Sequence, residues 1–324
     1  MKAEQTQYTP VIHVSPAPHL SSRDLTTRKM MRDVLLGLSP VVFMALYVFH
    51  WYAVKQLMIC LLGCLAAEAL FMKMRAKSAT LNDYSAAVTG IILALSLPGA
   101  APWYIGVIAS VVAIGMGKVV FGGIGMNIFN PAMVGRAFVM IAFAGAMGAP
   151  GYEQIHATVD VITRATPMDA FKQTGAVASL DSLFWGLTNG SLGETSALAC
   201  ILGGLYLCVR RTASWQIPAG TVVTAAALAG IANLVHPESN WTALHHLLGG
   251  SLLFGAFFIA TDPVTSPLTP KGKFIFGIGV GFFVMVLRLF SGYPEGVMFA
   301  VLLMNGVTPL INHWTIPRPL GAIP

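Results

Sequence analysis

Charge is what this sequence lacks most. Asp, Glu, Lys and Arg make up 10% of its 324 residues, whereas 56% are hydrophobic. A soluble domain normally carries about 25% charged residues. The shortage excludes an ordinary water-soluble globule and fits a polytopic membrane protein. Cysteine is nearly as scarce, at four residues. Cys60 and Cys64 lie one helical turn apart in one apolar segment, and Cys200 and Cys208 lie in another. With no C-x-x-C pair and no zinc-type Cys/His spacing, all four are expected to be buried thiols; a cluster shared between subunits has no support in the pattern. No G-x-G-x-x-G opens a strand–helix unit, so the chain is not expected to hold NAD itself. Residues 1–32 are polar and basic without an early apolar core, so no cleavable signal peptide is expected. A pI near 9.2 invites a nucleic-acid reading. The basic residues, however, flank apolar segments, as membrane orientation requires, and no nucleic-acid partner is expected.

What the chain has in abundance is apolar segments. A helix needs about 20 apolar residues to cross a bilayer. The pattern predicts an all-α polytopic membrane protein with about ten helices, roughly at 34–51, 55–73, 84–98, 102–121, 131–148, 194–209, 214–235, 244–261, 273–290 and 295–312. Several are short or interrupted by Gly and Pro, which requires their backbone polar groups to be buried in protein or to line a cavity. With the N-terminus in the cytoplasm, only Lys55, Arg164, Lys172 and Arg288 of the 19 Lys and Arg residues fall outside. That asymmetry predicts a cytoplasmic N-terminal segment over 1–32, a first transmembrane half over 33–148, an outward loop over 149–193, and a second half with a short C-terminal tail over 194–324.

The halves also echo each other. Residues 89–98 and 254–263 match at Gly and Pro with one offset, and Phe121-Gly122-Gly123 and Phe290-Ser291-Gly292 follow at comparable places. Five helices per half would make the repeats inverted, with broken helices meeting near the midplane. The same matches could arise by chance among Gly-rich apolar segments.

One polar string stands out in the outward loop: Asp160-Val161-Ile162-Thr163-Arg164-Ala165-Thr166. It resembles the D-x-x-[ST]-x-A-T signal at which a flavin transferase esterifies FMN to threonine, which makes Thr166 the acceptor. Taken alone, such a string also serves as a turn or helix cap. Further motifs give it a setting: Asn82-Asp83-Tyr84-Ser85, the Gly/Asn-rich residues 122–132, Ala165-Thr166-Pro167, residues 255–264 and Gly292-Tyr293-Pro294-Glu295-Gly296. Together, over about residues 20–315, they resemble the NqrB/RnfD family. These are membrane subunits of the sodium-pumping NADH:quinone oxidoreductase and of the Rnf ion-translocating ferredoxin:NAD oxidoreductase. The short N-terminus and Thr166-Pro167-Met168-Asp169 favour the Rnf branch, whereas residues 190–196 look more like the other. Val161 and Arg164 depart from the usual residues of the attachment signal.

The resemblance implies FMN on Thr166 and a second flavin, riboflavin, held noncovalently among the helices. It also implies work in a bacterial inner-membrane complex with other Rnf subunits, after maturation by the flavin transferase. Flavin does the electron chemistry while the protein positions and tunes it. Gly123 and its neighbouring glycines allow close backbone approach, and the amides of Asn127 and Asn130 can hydrogen-bond a ring edge without adding charge. Those three residues are the riboflavin candidates; equally, both asparagines can cap a broken helix. Glu68, Asp83 and Asp262 are acids within or beside membrane segments, where acids are costly and functional by default. The resemblance further implies that Phe254 and Phe258, at i and i+4, constrict an ion route with the acids Glu68, Asp83 and Asp262 at its mouth; equally, the two rings can simply pack. The family often carries aspartate where this chain has Asn312. The reading is a membrane electron-transfer subunit that couples ferredoxin/NAD redox chemistry to ion transport. A quinone-reducing subunit and a cofactor-free transporter or channel are the alternatives.

Overall fold

The computed structural model describes residues 26–76, 81–147, 166–188, 190–194, 196–235, 237, 240–291 and 296–317. Among these residues the only regular structure is helical. The first helix, α1 (Thr27–Met74), runs for 48 residues but breaks at His50, whose backbone turns to φ 44, ψ −119. It therefore makes two spans, back to back, where the sequence pattern expects a short connecting loop. Short apolar helices follow: α2 (Ser85–Ser96), α3 (Trp103–Ile114) and α4 (Pro131–Ala142), with a single extra turn, α5 (Ala144–Met147). In the part of the outward loop from Thr166 onward lie α6 (Pro167–Thr174) and α7 (Leu180–Trp185). The second half comprises α8 (Ala197–Val209), α9 (Gln216–Val235), the broken pair α10 (Ala243–Leu248) and α11 (Leu252–Phe254), then α12 (Pro270–Phe290) and α13 (Val297–Thr315). Counting α1 twice and α10–α11 once, the ten expected membrane segments are all present as helices.

The repeat is visible in the packing. In the first half α3 lies on the second span of α1, where Gly106 leaves no room for a side chain beside Ile59, Gln56 and Cys60. In the second half α12 lies on α9 in the same manner, with Gly277 against the Ile217 backbone. Small residues at such contacts let helices approach in a bilayer, where hydrophobicity gives no drive for helix association. One hydroxyl bridges each pair: Ser110 Oγ donates to the Cys60 carbonyl at 3.3 Å, and Thr221 Oγ1 to the Gly277 carbonyl at 3.1 Å. Each half also contains one widened helical turn, Gly115–Val119 continuing α3 and Gly255–Ile259 continuing α11. In both, an i→i+5 bond replaces the usual i→i+4 bond: Val120 N–H to Gly115 O and Ala260 N–H to Gly255 O. Widened turns of this kind are rare and recur at functional sites.

The faces of the bundle differ as a bilayer demands. Leu36, Phe43, Leu62, Leu234 and Phe290 point outward from the helices. Five tryptophans are exposed near helix ends, with Trp51, Trp103 and Trp185 toward one face and Trp215 and Trp314 toward the other, forming two aromatic belts. Arg28, Lys29, Arg32, Arg75, Arg210, Lys271 and Lys273 gather at the face where α1 begins. Arg136, placed with that group by its sequence position, is instead buried within the bundle, 3.4 Å from Glu194. Cys60, Cys64 and Cys200 are buried as expected; Cys208 is only half-buried.

Candidate functional site

Asn130 begins α4, and three of its groups are committed. Its side-chain oxygen accepts from the N–H groups of Ala132 and Met133 at 3.1 and 3.3 Å, with Pro131 at the first helical position. Its amide nitrogen donates to the Ile259 carbonyl at 3.4 Å, and its backbone N–H donates to Asn305 Oδ1 at 3.1 Å. A residue of the first half thus caps its own helix and ties it to the widened turn of the second half. Before it, the chain turns through Gly122 and Gly123 at φ +120 and +114. A Cβ on Gly123 would meet nothing within 4 Å, so the glycine serves backbone conformation, not room for a neighbour.

Both widened turns contribute to the wall of one open cavity, through Lys118 and Phe258. Four of the residues singled out from sequence line it together: Asn127, Asn130, Phe258 and Asp262. The walls are mainly apolar, among them Met30 and Met31 of α1, Val88 of α2 and Leu207 of α8. Asn127 donates its amide to the Phe129 carbonyl at 3.2 Å, and its side-chain oxygen is an acceptor beside the cavity. Gly123 lies in the adjoining loop, outside the lining. Phe254 stands behind Phe258, fully buried, with ring centroids 5.6 Å apart. Asp262 closes the turn after the helix break, accepting from the Val264 N–H at 3.1 Å and the Thr265 hydroxyl at 3.2 Å. Asn312 is engaged elsewhere, accepting from the Leu268 N–H at 3.0 Å.

The other two acids meet through a residue that sequence reasoning treated only as a flanking charge. Lys118, in the first widened turn, is buried and donates to Glu68 Oε1 at 2.7 Å and to Ser85 Oγ at 2.6 Å. Ser85 in turn donates to Asp83 Oδ1 at 2.6 Å, and the same oxygen accepts the Ser85 N–H at 2.8 Å, closing the start of α2. Glu68, Lys118, Ser85 and Asp83 form one chain of polar contacts, of which Lys118 and Ser85 reach the cavity wall. The signal that could have found Lys118 was its position inside the segment 102–121, since an ionisable residue within a membrane span is a functional candidate. Asp33, missed as well, receives Arg210 at 3.3 Å and Thr212 at 3.2 Å near the same end.

Thr166 stands at the opposite end of the bundle. Residues 160–165 of its motif lie outside the described residues. Thr166 itself immediately precedes α6, and its carbonyl accepts the Ala170 N–H at 2.9 Å. It shares a shallow depression with Thr188, Gly190, Glu194 and Gly250. α6 is fastened by Phe171, stacked on the buried Trp241 at 4.8 Å, and by Lys172, which donates to the Ser291 carbonyl at 3.0 Å. Helix N-termini favour phosphate, and Arg136 offsets the nearby charge of Glu194. The depression lies at the start of α8 and the cavity at its end. Thirteen residues at 1.5 Å each separate them by about 20 Å.

Comparison with known proteins matches the family described as NQR2, RnfD, RnfE over residues 13–321. A protein of Acetobacterium woodii, named as a subunit of the Na(+)-translocating ferredoxin:NAD(+) oxidoreductase complex, is 41% identical over 312 residues, 95% of each chain. A protein of Halorhodospira halophila, named as a subunit of an ion-translocating oxidoreductase complex, is 41% identical over 338 residues, 94% of each chain. A third, from Clostridium ljungdahlii and named as a subunit of the proton-translocating ferredoxin:NAD(+) oxidoreductase complex, is 37% identical over 322 residues, 96% of each chain. Matched along almost its whole length and carrying the helical repeat, this chain belongs to the NQR2, RnfD, RnfE family.

Proposed function

We propose that the chain is a membrane electron-transfer subunit of an ion-translocating ferredoxin:NAD oxidoreductase complex, and that it carries electrons on two flavins. FMN is esterified to Thr166. Riboflavin occupies the cavity walled in part by the widened turns, beside Asn127. Asp262, with Phe254 and Phe258, belongs to the ion route, and Asp83 stands at its edge. The observation that carries this reading is the placement of the sites: an attachment threonine at a helix N-terminus on one face, and an apolar cavity with an amide edge about 20 Å away toward the other. The cavity suits a planar ring with a polar rim, since ligand sites are mostly apolar with a few placed polar groups. The chain sits in a bacterial inner membrane with its N-terminus cytoplasmic and Thr166 outside, amid lipid and the other subunits of the complex, after a flavin transferase has acted. The named relatives include a sodium and a proton translocator at similar identity, so likeness alone leaves the ion open.

The test is the intact mass of the purified chain with a peptide map of residues 149–193. The expected result is one FMN on Thr166 through a phosphoester. Thr166→Val should remove that mass and the in-gel fluorescence while the chain still inserts. Covalent FMN persisting on the variant would overturn the assignment.

A further inference from the structure

We infer that Lys118 is the electrostatic determinant of the cavity, setting the redox potential of the flavin bound there, and that Glu68 moderates it. The inference rests on the cavity holding a noncovalent flavin. Its starting point is the number of donors on the ammonium group. A lysine ammonium has three N–H donors. Two of them are used, at 2.7 Å to Glu68 and 2.6 Å to Ser85, and the side chain also forms part of the cavity wall. Glu68 is not in that wall. Of the pair, the cation is therefore the member at the cavity and the anion lies behind it, with the ammonium placed near the wall by its bond to Ser85, another lining residue. The widened turn Gly115–Val119 carries Lys118 into this place, and the pair keeps the buried charge stable, since removing one partner of such a pair leaves an uncompensated ion.

The consequence for a redox ligand follows from charge balance. When a one-electron reductant gives an electron to a neutral ring in the cavity, the ring gains one negative charge and the donor loses it. Lys118 favours the reduced form over the oxidised form. Glu68 opposes that preference from farther away. Neighbouring charge is one of the levers by which a protein tunes such a cofactor. Asn127 supplies hydrogen bonding without charge and is not expected to produce the same bias.

The experiment uses the whole complex carrying Thr166→Val, so that the covalent flavin of this chain is absent, and follows in a redox titration the flavin that acid precipitation releases. Lys118→Met should lower its midpoint potential by at least a tenfold change in relative affinity for the reduced form, about 59 mV for a one-electron couple. Glu68→Gln should raise it. Lys118→Arg, which retains the charge, should stay near the parent value and covers the case in which the methionine variant does not assemble. Opposite signs for Lys118→Met and Glu68→Gln support the inference; a merely structural pair would move both the same way. Shifts of one sign, or none, with the flavin still bound, overturn it. If the parent complex releases no noncovalent flavin, the assignment of the cavity itself falls, a result distinguishable from the first.

Discussion

Replacing Asn130 by alanine separates its two readings, helix cap and flavin ligand. The substitution removes the oxygen that accepts from Ala132 and Met133 N–H, and the amide that donates to Ile259. Loss of a good N-cap costs about 1 kcal/mol, within a range of roughly 0.5–2. The bond to Ile259, at 3.4 Å, is beyond the usual N–H···O distance and adds less than a typical net bond of about 1 kcal/mol. The cap therefore dominates, and the total is about 1.5–2 kcal/mol. At roughly 2–4 °C per kcal/mol for chains of a few hundred residues, the midpoint should fall by about 3–8 °C. The buried thiols of Cys60, Cys64 and Cys200 make a thiol-reactive fluorophore a suitable probe, because they react when the bundle opens. Asn130→Ser keeps an oxygen suited to capping but not the amide, so it should recover most of the loss. If alanine leaves the midpoint within about 1 °C of wild type while noncovalent flavin disappears, the cap argument is refuted and Asn130 is a ligand.

Two further outcomes are expected. A cysteine in place of Ala176, exposed between α6 and α7, should react with an impermeant maleimide applied from the outer face of the inner membrane; labelling only from the cytoplasmic side would reverse the proposed topology. Asp262→Asn should keep assembly and covalent FMN but lower the ratio of ions moved to ferredoxin oxidised in proteoliposomes of the whole complex, because it removes a fixed negative charge beside a broken helix. An unchanged ratio with unchanged ion dependence would make Asp262 structural.

The helices were legible because their apolar runs are long, and Gly and Pro marked which of them would be short or interrupted. The reversal between the segments 34–51 and 55–73 was expected too, but not its form: the chain makes it at His50 within one continuous helix, without a loop. Asn127, Asn130, Phe258 and Asp262 were picked from motifs, yet only the approach of the two halves brings them to one cavity. Lys118 was hidden by the counting of charges, which treats every lysine near a segment end as an orientation signal. Its position in a widened turn, and its reach to Glu68 fifty residues earlier, are tertiary facts. Thr166 was legible as a motif, but its seat ahead of α6 and the fastening of that helix by Phe171 on Trp241 depend on contacts that no local pattern encodes.

The widened turns carry one further implication, about phase. An i→i+5 turn holds one residue more than the α-helical turn it replaces, and in an α-helix each residue advances the side-chain direction by about 100°. Removing a single residue from Gly115–Val119 would let the helix close up, rotating the chain on one side relative to the other by about that angle. Lys118 could not then meet Glu68 while α3 kept its seat on α1. The same holds for Gly255–Ile259, where Phe254 and Phe258 depend on the extra residue to face as they do. In each half, then, one surplus residue sets the rotational register of the groups at the cavity, and a one-residue deletion would be felt there more keenly than many substitutions.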